Sequence, residues 1–274
     1  MKRLLIAAVF AVAGLAAFAG TCTITHISLT TIGTHDTFAG QLDNNSGVDI
    51  LQHNFVVAFL DANNNVVEVK TVSGCLRSIQ NGKTDFFSAA SSASASTTTT
   101  GLARLAFDST FKVGTVVASD LTISNVNVRR DGDTLRVSGT VKNNSSDTVA
   151  NAVACIVVFN NAGNVVVTSR ANVDDTSLAQ NQTGNFDKSI TVPDNAGTVD
   201  HVDIYVDGLD GDSNGTPVAP EASKGHNVNI CATPTNTATN TATFTPTTTP
   251  SPTATPTNTP VATNTPVPTH TPCP

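Results

Sequence analysis

Oxygen-bearing side chains recur at alternate positions in one short segment near the end of the folded part of the chain. The segment fits the pattern D-x-[DN]-x-[DN]-G-x5-E, and Gly215 stands where that pattern needs a sharp turn. Its candidate ligands are Asp210, Asp212, Asn214, Thr216 and Glu221. Because Ca²⁺ takes about six to eight oxygen ligands, carboxylates, an amide and a backbone carbonyl at this spacing predict a calcium loop.

Two prolines argue for a different interpretation of the same segment. Pro217 replaces the apolar residue that is usual at the eighth position, and Pro220 directly precedes Glu221. No amphipathic helix is predicted on either side, so the segment is not a regular EF-hand. We favour a polar linker that leaves a strand and needs no cofactor. A calcium-dependent binding module, for example for carbohydrate, is the alternative.

Five cysteines are present, at positions 22, 75, 155, 231 and 273. The simplest arrangement gives each half of the chain one disulfide, Cys22 with Cys75 and Cys155 with Cys231, and leaves Cys273 over. The sequence alone does not determine this connectivity. No C-x-x-C motif occurs, so neither a thioredoxin-type redox site nor a zinc-ribbon site is predicted.

Sequence motifs for metal-dependent proteolysis or phosphate binding do not occur in the chain. It contains no H-E-x-x-H sequence and no glycine-rich phosphate loop. The six histidines are scattered, and none lies at metal-ligand spacing from a Cys, Asp or Glu residue. We interpret them as surface or strand-end residues, and we predict that the protein is not an enzyme.

Acidic residues outnumber basic ones, 21 to 14, which gives a formal net charge of −7. Binding to nucleic acid requires clustered Lys and Arg side chains that neutralise phosphates, and no such cluster is present. A nucleic-acid partner is therefore not expected.

The N-terminus has the three parts of a secretion signal, predicted over residues 1–20. A basic pair, Lys2 and Arg3, precedes the apolar stretch Leu4–Ala16, and Ala17–Ala19 forms an A-x-A cleavage site. The apolar stretch is short for a membrane span, and no second one follows. We expect a mature chain without a membrane span, secreted by a bacterium or held at its surface.

One sequence pattern occurs twice and organises the rest of the chain. Gly40–Ser46 is echoed 99 residues later by Gly139–Ser145, and in each copy a strand pattern runs into an Asn-Asn-Ser turn. This spacing predicts two β-sandwich domains, at 21–117 and 118–231.

Strand patterns follow each turn. In the second copy Asp133–Lys142 is the clearest strand prediction, because its apolar and polar residues alternate as is typical of a half-buried strand. The apolar runs Phe55–Leu60 and Ala152–Phe159 are each followed by a polar turn and a returning strand. The pattern predicts an all-β fold, with two tandem antiparallel immunoglobulin-like sandwiches.

These motifs carry a family resemblance. Gly139–Ser145, Val158-Phe159, Gly163–Val166 and the late Asp203–Val206, with Leu178 and Phe186 between, resemble bacterial FxLYD-type immunoglobulin-like domains. The first copy departs from the family where Asn63-Asn64 replaces a usual glycine. Because such domains are extracytoplasmic modules without a catalytic site, the resemblance implies a scaffold or binding role.

From residue 232 to residue 274 the composition changes. The segment is mostly Thr and Pro, with Asn, Ala and Ser, and it contains no Asp, Glu, Lys or Arg. Such a segment cannot bury enough apolar surface to fold, and Thr-Pro repeats favour extended polyproline II structure. We expect a disordered stalk that presents a non-enzymatic scaffold or adhesive module to a protein or glycan at the cell surface.

Overall fold

A computed structural model describes residues 21–94, 100–106, 111–193, 199–211 and 215–230. Within these ranges the chain is all-β, and no helix long and apolar enough to cross a membrane occurs there. Several sequence predictions fall outside the described residues. They are the secretion signal at 1–20, Asp212, Asn214, Cys231, Cys273 and the stalk at 232–274.

The first sandwich is formed by eight strands. They are β1 (Thr21–Ile32), β2 (His35–Asn45), β3 (Asp49–Gln52), β4 (Asn54–Leu60), β5 (Val66–Ser73), β6 (Lys83–Ser94), β7 (Thr100–Ala106) and β8 (Lys112–Gly114). One sheet has the order β1-β2-β6 and the other β5-β4-β7, while β3 pairs with β8. Alternation along β4 buries Phe55, Val57 and Phe59, and Phe55 stacks on Phe87 of β6 at 4.6 Å between ring centroids.

The second sandwich is formed by nine strands. They are β9 (Leu121–Asp131), β10 (Thr134–Asn143), β11 (Val149–Phe159), β12 (Val165–Asn172), β13 (Ser177–Leu178), β14 (Thr183–Thr191), β15 (His201–Asp210), β16 (Glu221–Asn227) and β17 (Asn229–Ile230). The sheet β14-β10-β9-β17 faces the sheet β12-β11-β15-β16, and β13 pairs with β11. Leu135, Val137 and Val141 of β10 are fully buried, as the alternating pattern predicts.

Pairing in the two sandwiches follows the 99-residue spacing. The bridge between Ile50 and Ile79 has its counterpart in the pair Val149 and Leu178. A buried asparagine holds each of these bridges. The Asn44 side-chain amide donates to the carbonyls of Val48 and Ile79, both at 2.9 Å.

Asn143 repeats this arrangement, and donates to the carbonyls of Asp147 at 2.9 Å and Leu178 at 2.8 Å. Its carbonyl oxygen accepts a hydrogen bond from the backbone N–H of Ser145 at 3.0 Å. The Asn-Asn-Ser turns are therefore structural, because their side chains satisfy backbone groups at the sandwich edge.

A buried apolar cluster lies where the two sandwiches meet. It joins Ala39, Leu76 and Phe86 of the first sandwich to Phe159 and Tyr205 of the second. The edge strand β12 is also held through polar contacts, since the Thr168 N–H donates to the Ser88 hydroxyl at 3.1 Å. The residues up to Ile230 consequently form one compact unit.

A disulfide between Cys75 and Cys155 crosses this contact, with 5.4 Å between the Cα atoms. The predicted pairs Cys22–Cys75 and Cys155–Cys231 are therefore wrong. That prediction assumed that each sandwich closes its own bridge. Instead, Cys75 and Cys155 both belong to the buried cluster between the sandwiches, where their side chains meet. Cys22 is a partly buried free thiol.

Candidate functional site

A cleft of about 630 Å³ opens between the two sandwiches. The first sandwich contributes the β3–β4 junction, the segment from Ser73 to Arg77 and the start of β8. The second contributes Arg170 at the end of β12 and residues 215–217, which lead into β16. This volume is in the range of small-molecule sites, which often lie at domain contacts.

His53 and Asp85 form a buried ion pair or hydrogen-bonded pair at this cleft. Nε2 of His53 lies 2.6 Å from Oδ2 of Asp85, and neither side chain is exposed. The other carboxylate oxygen of Asp85 accepts the backbone N–H of Leu76 at 2.8 Å. Burial of two such groups is tolerated because each satisfies the other, and because the backbone donor adds a further bond.

Gly74 makes room for this pair. A Cβ atom at position 74 would overlap Oδ2 of Asp85 and Nε2 of His53. In the second sandwich the corresponding residue is Val173, whose side chain occupies the space above Gly184. The two sandwiches thus fill the same volume in alternative ways.

The histidine–aspartate pair resembles the base and orienting acid of a catalytic triad, but it lacks the nucleophile. Nδ1 of His53 is buried and accepts no hydrogen bond from any hydroxyl or thiol of the described residues. A triad requires a nucleophile within hydrogen-bond reach of the free ring nitrogen. The described residues place no such nucleophile at Nδ1 of His53.

Arg77 and Asp207 connect the two sandwiches beside this pair. Nη1 of Arg77 donates to Oδ1 of Asp207 at 2.9 Å, and the backbone N–H of Arg77 donates to Oδ2. Burial raises the pKa of Asp207 to about 6, although the positive charge of Arg77 opposes that shift. The carboxylate is ionised at neutral pH and anchors the arginine.

Two further cations line the cleft. Arg170 and Lys112 are both exposed, and neither forms an ion pair with a carboxylate of the described residues. With Arg77 they give the lining three positive side chains. No Asp or Glu of the described residues belongs to that lining.

The predicted calcium segment lies in the hairpin between β15 and β16. The Asp210 N–H donates to the Thr216 carbonyl at 2.8 Å, which closes the hairpin tip. Glu221 pairs with Val206, four residues before Asp210. At the rise of a strand this separates Glu221 from Asp210 by about 13 Å.

No described residues form a group of three acidic, histidine or cysteine side chains that could hold a metal ion. Asp212 and Asn214 are not among the described residues, so the five-ligand calcium loop stays a prediction. Because Glu221 pairs with Val206, this candidate ligand lies away from the tip of the hairpin.

The sequence from Gly211 to Gly215, of which residues 212–214 lie outside the described residues, matches the G-x-S-x-G pattern of a nucleophile elbow. An elbow requires a strand that turns into a helix. Here the segment connects two antiparallel strands, β15 and β16. The match therefore lacks the structural context that would support a catalytic interpretation.

His53 lies at a strand end, between β3 and β4, as the sequence interpretation allows, but it is buried. His26 and His35 are exposed, and His201 is partly exposed beside Asp200, 2.7 Å away. The pairing of His53 with Asp85 could have been found by comparing the two copies of the repeat. At the 99-residue spacing, His53 and Asp85 align with Ala152 and Gly184, so two ionisable residues are absent together from the second copy.

No protein-family model matches the chain, and no curated protein matches it. Among solved structures the chain is similar to a calcium-binding mutant of Bacteroides uniformis β-glucuronidase 2, with 11% identity and a TM-score of 0.25. That match covers 71% of this chain and 26% of the other. Red sea bream transglutaminase matches at 10% identity with a TM-score of 0.24, over 76% of this chain and 32% of the other. We draw no functional argument from likeness at this level.

Proposed function

We propose that this chain is an exported, non-catalytic scaffold or adhesive module of the FxLYD type, presented at a bacterial surface by its Thr/Pro segment. The observation that carries the proposal is the disulfide between Cys75 and Cys155 inside the contact of the two sandwiches. Disulfides persist in oxidising, extracytoplasmic compartments, so this bond supports export.

The same contact supports a scaffold role, because it fixes one sandwich on the other. The disulfide, the buried cluster around Phe86 and Tyr205 and the ion pair of Arg77 with Asp207 all cross it. A contact of this kind, apolar and covalently closed, opposes the hinge motion that is the default between domains. Two sandwiches fixed on each other suit a module that holds a binding surface away from the cell.

Export and display are tested by expressing the chain in a bacterial host with its own N-terminus. We expect the protein outside the cytoplasmic membrane, with Cys75 and Cys155 resistant to alkylation until a reductant is added. A variant that ends at Ile230 should keep its melting temperature but lose its retention at the surface. A reduced, cytoplasmic protein would overturn the proposal.

Rigidity is tested by ¹⁵N relaxation of the mature chain. One rotational correlation time for both sandwiches is expected, and two separate times would contradict the scaffold role. The non-catalytic part is tested with His53→Ala. A hydrolase activity of the wild type that this one substitution removes would show that the cleft is an active site.

A further inference from the structure

We propose that the cleft between the sandwiches binds a small oxyanionic ligand, one that carries a carboxylate or a sulfate group, through Arg77, Arg170 and Lys112. This site goes beyond the scaffold role, and the scaffold role does not depend on it. A scaffold without a ligand in the cleft is physically consistent, so failure of the titration described below would leave the scaffold role standing.

The charge of the lining is the first observation. In a chain with 21 acidic and 14 basic residues, a random patch of surface carries more carboxylates than cations. The described cleft lining carries Arg77, Lys112 and Arg170 and no carboxylate. Clefts with one sign of charge and low-dielectric walls concentrate ligands of the opposite sign.

The second observation is that two guanidinium groups line the same cleft, and only that of Arg77 is paired with a carboxylate of the described residues. Asp207 pairs directly with Arg77, and it is also within electrostatic range of Arg170. Burial, and after it the positive charge of Arg170, lowers the pKa of Arg77, while Asp207 acts in the opposite direction. An added anion between the two arginines would relieve their repulsion, and guanidinium groups bind carboxylates and sulfates with well-matched geometry.

Anchoring of Arg77 is the third observation. Nη1 of Arg77 carries its side-chain hydrogen bond to Asp207, which holds the planar group in place. Nη2 and Nε form no hydrogen bond with a described residue, and the side chain is 21% exposed and lines the cleft. A donor fixed before binding loses less conformational entropy when the ligand arrives.

Neutral residues around the cations set the size and character of the ligand. Gln52 and Ser73 offer hydrogen-bonding side chains, and Leu51 and Leu76 offer apolar walls. No exposed aromatic side chain of the described residues lines the cleft, so a stacked base or ring is not favoured. About 630 Å³ accommodates an aliphatic or hydroxylated organic acid.

The test is a ¹⁵N NMR titration of the mature chain with sodium succinate and, separately, with sodium sulfate. Sodium chloride keeps the ionic strength constant throughout. The test variant is Lys112→Gln with Arg170→Gln, because both side chains are exposed and their loss leaves the core intact. The control is Arg104→Gln, an exposed arginine outside the cleft.

We expect saturable shifts of the Gly74, Arg77 and Gly215 amides with at least one of the two anions. Binding should weaken at least about tenfold in the double variant, since two charge-assisted contacts are lost, and stay unchanged in the control. A response to succinate alone identifies a carboxylate ligand, and a response to sulfate alone a tetrahedral oxyanion. Absence of saturable shifts with both anions, or equal affinity in the double variant, would overturn the proposal.

Discussion

The two sandwiches share one hydrogen-bonded frame, but they differ in the volume beneath the cleft. In the first sandwich His53 and Asp85 fill that volume above Gly74. In the second, Val173 fills the corresponding volume above Gly184. The comparison teaches that the frame tolerates either a hydrogen-bonded polar pair or an aliphatic side chain, provided that the partner residues change with it.

The outward faces differ in the same manner. Ala39 and Phe86 of the first sandwich are buried in the contact, whereas their counterparts in the second, Ser138 and Asn185, are polar and solvent-accessible. Conversely, Val165 is fully buried, while its counterpart Val66 is 61% exposed. Each sandwich therefore has one apolar outer face, which is buried against the other sandwich. The equivalent of the first sandwich's apolar face is polar in the second sandwich, as is usual for terminal units of repeat proteins.

The largest expected loss of stability comes from removing the disulfide between the two sandwiches. Cys75→Ala with Cys155→Ala opens a link between residues 80 positions apart. The chain-entropy model gives a loss of about 4 kcal/mol in the free energy of unfolding, measured with urea. Cys22→Ser is the control, because Cys22 is free, and its effect should be close to zero. Equal losses in both variants would restore Cys22 as a bridge partner.

A smaller loss of stability is expected when Gly74 of the first sandwich is replaced by valine, the residue at the equivalent position 173 of the second sandwich. Gly74→Val alone should lower the free energy of unfolding by about 3 kcal/mol, since its side chain displaces the buried His53–Asp85 pair. Adding His53→Ala and Asp85→Gly recreates the arrangement of the second sandwich and should recover most of that loss. If the triple variant is no more stable than the single one, the two arrangements are not interchangeable.

The third prediction concerns Asp207, which is fully buried and pairs with Arg77 across the contact between the sandwiches. Its pKa is raised from 3.8 to about 6, so the folded protein binds this proton more tightly than the unfolded chain. The Asp207 contribution to stability is therefore lost as the pH rises from about 4 to about 6.

Asp207→Asn removes this titration. The stability of the wild type relative to this variant should fall by about 3 kcal/mol between pH 4 and pH 7, measured by urea unfolding at each pH. Parallel pH profiles for the two proteins would contradict the burial of the carboxylate.

Local patterns explain why much of the fold was predictable. The alternation over Thr134–Lys142 specifies which face of β10 is buried, because successive strand side chains point to opposite faces. The repeated Asn-Asn-Ser turn marks equivalent bridges in both sandwiches, since each asparagine bonds to its own turn and to a neighbouring loop.

The contact between the sandwiches was not predictable in this way. Cys75 and Cys155 lie at non-equivalent positions, aligned with Asp174 and Val56, so the repeat gives no rule for pairing them. Similarly, His53 and Asp85 are 32 residues apart, and only folding brings them within 2.6 Å. Such contacts depend on which outward faces meet, and strand periodicity carries no information about that.

The smallest expected effect is that of Ca²⁺ on the melting temperature. It tests whether the two ends of the predicted calcium segment bind the same ion. A polar linker predicts that millimolar Ca²⁺ leaves the melting temperature of the mature chain unchanged. A calcium loop without Glu221 would raise it only slightly, because such a loop has few charged ligands. Asp212→Asn should remove that rise, whereas Glu221→Gln should leave it unchanged, since pairing with Val206 holds Glu221 about 13 Å from Asp210. Differential scanning calorimetry with a calcium series measures both. A rise abolished by Glu221→Gln would show that Glu221 reaches the hairpin tip, and that the twelve-residue loop binds as a unit.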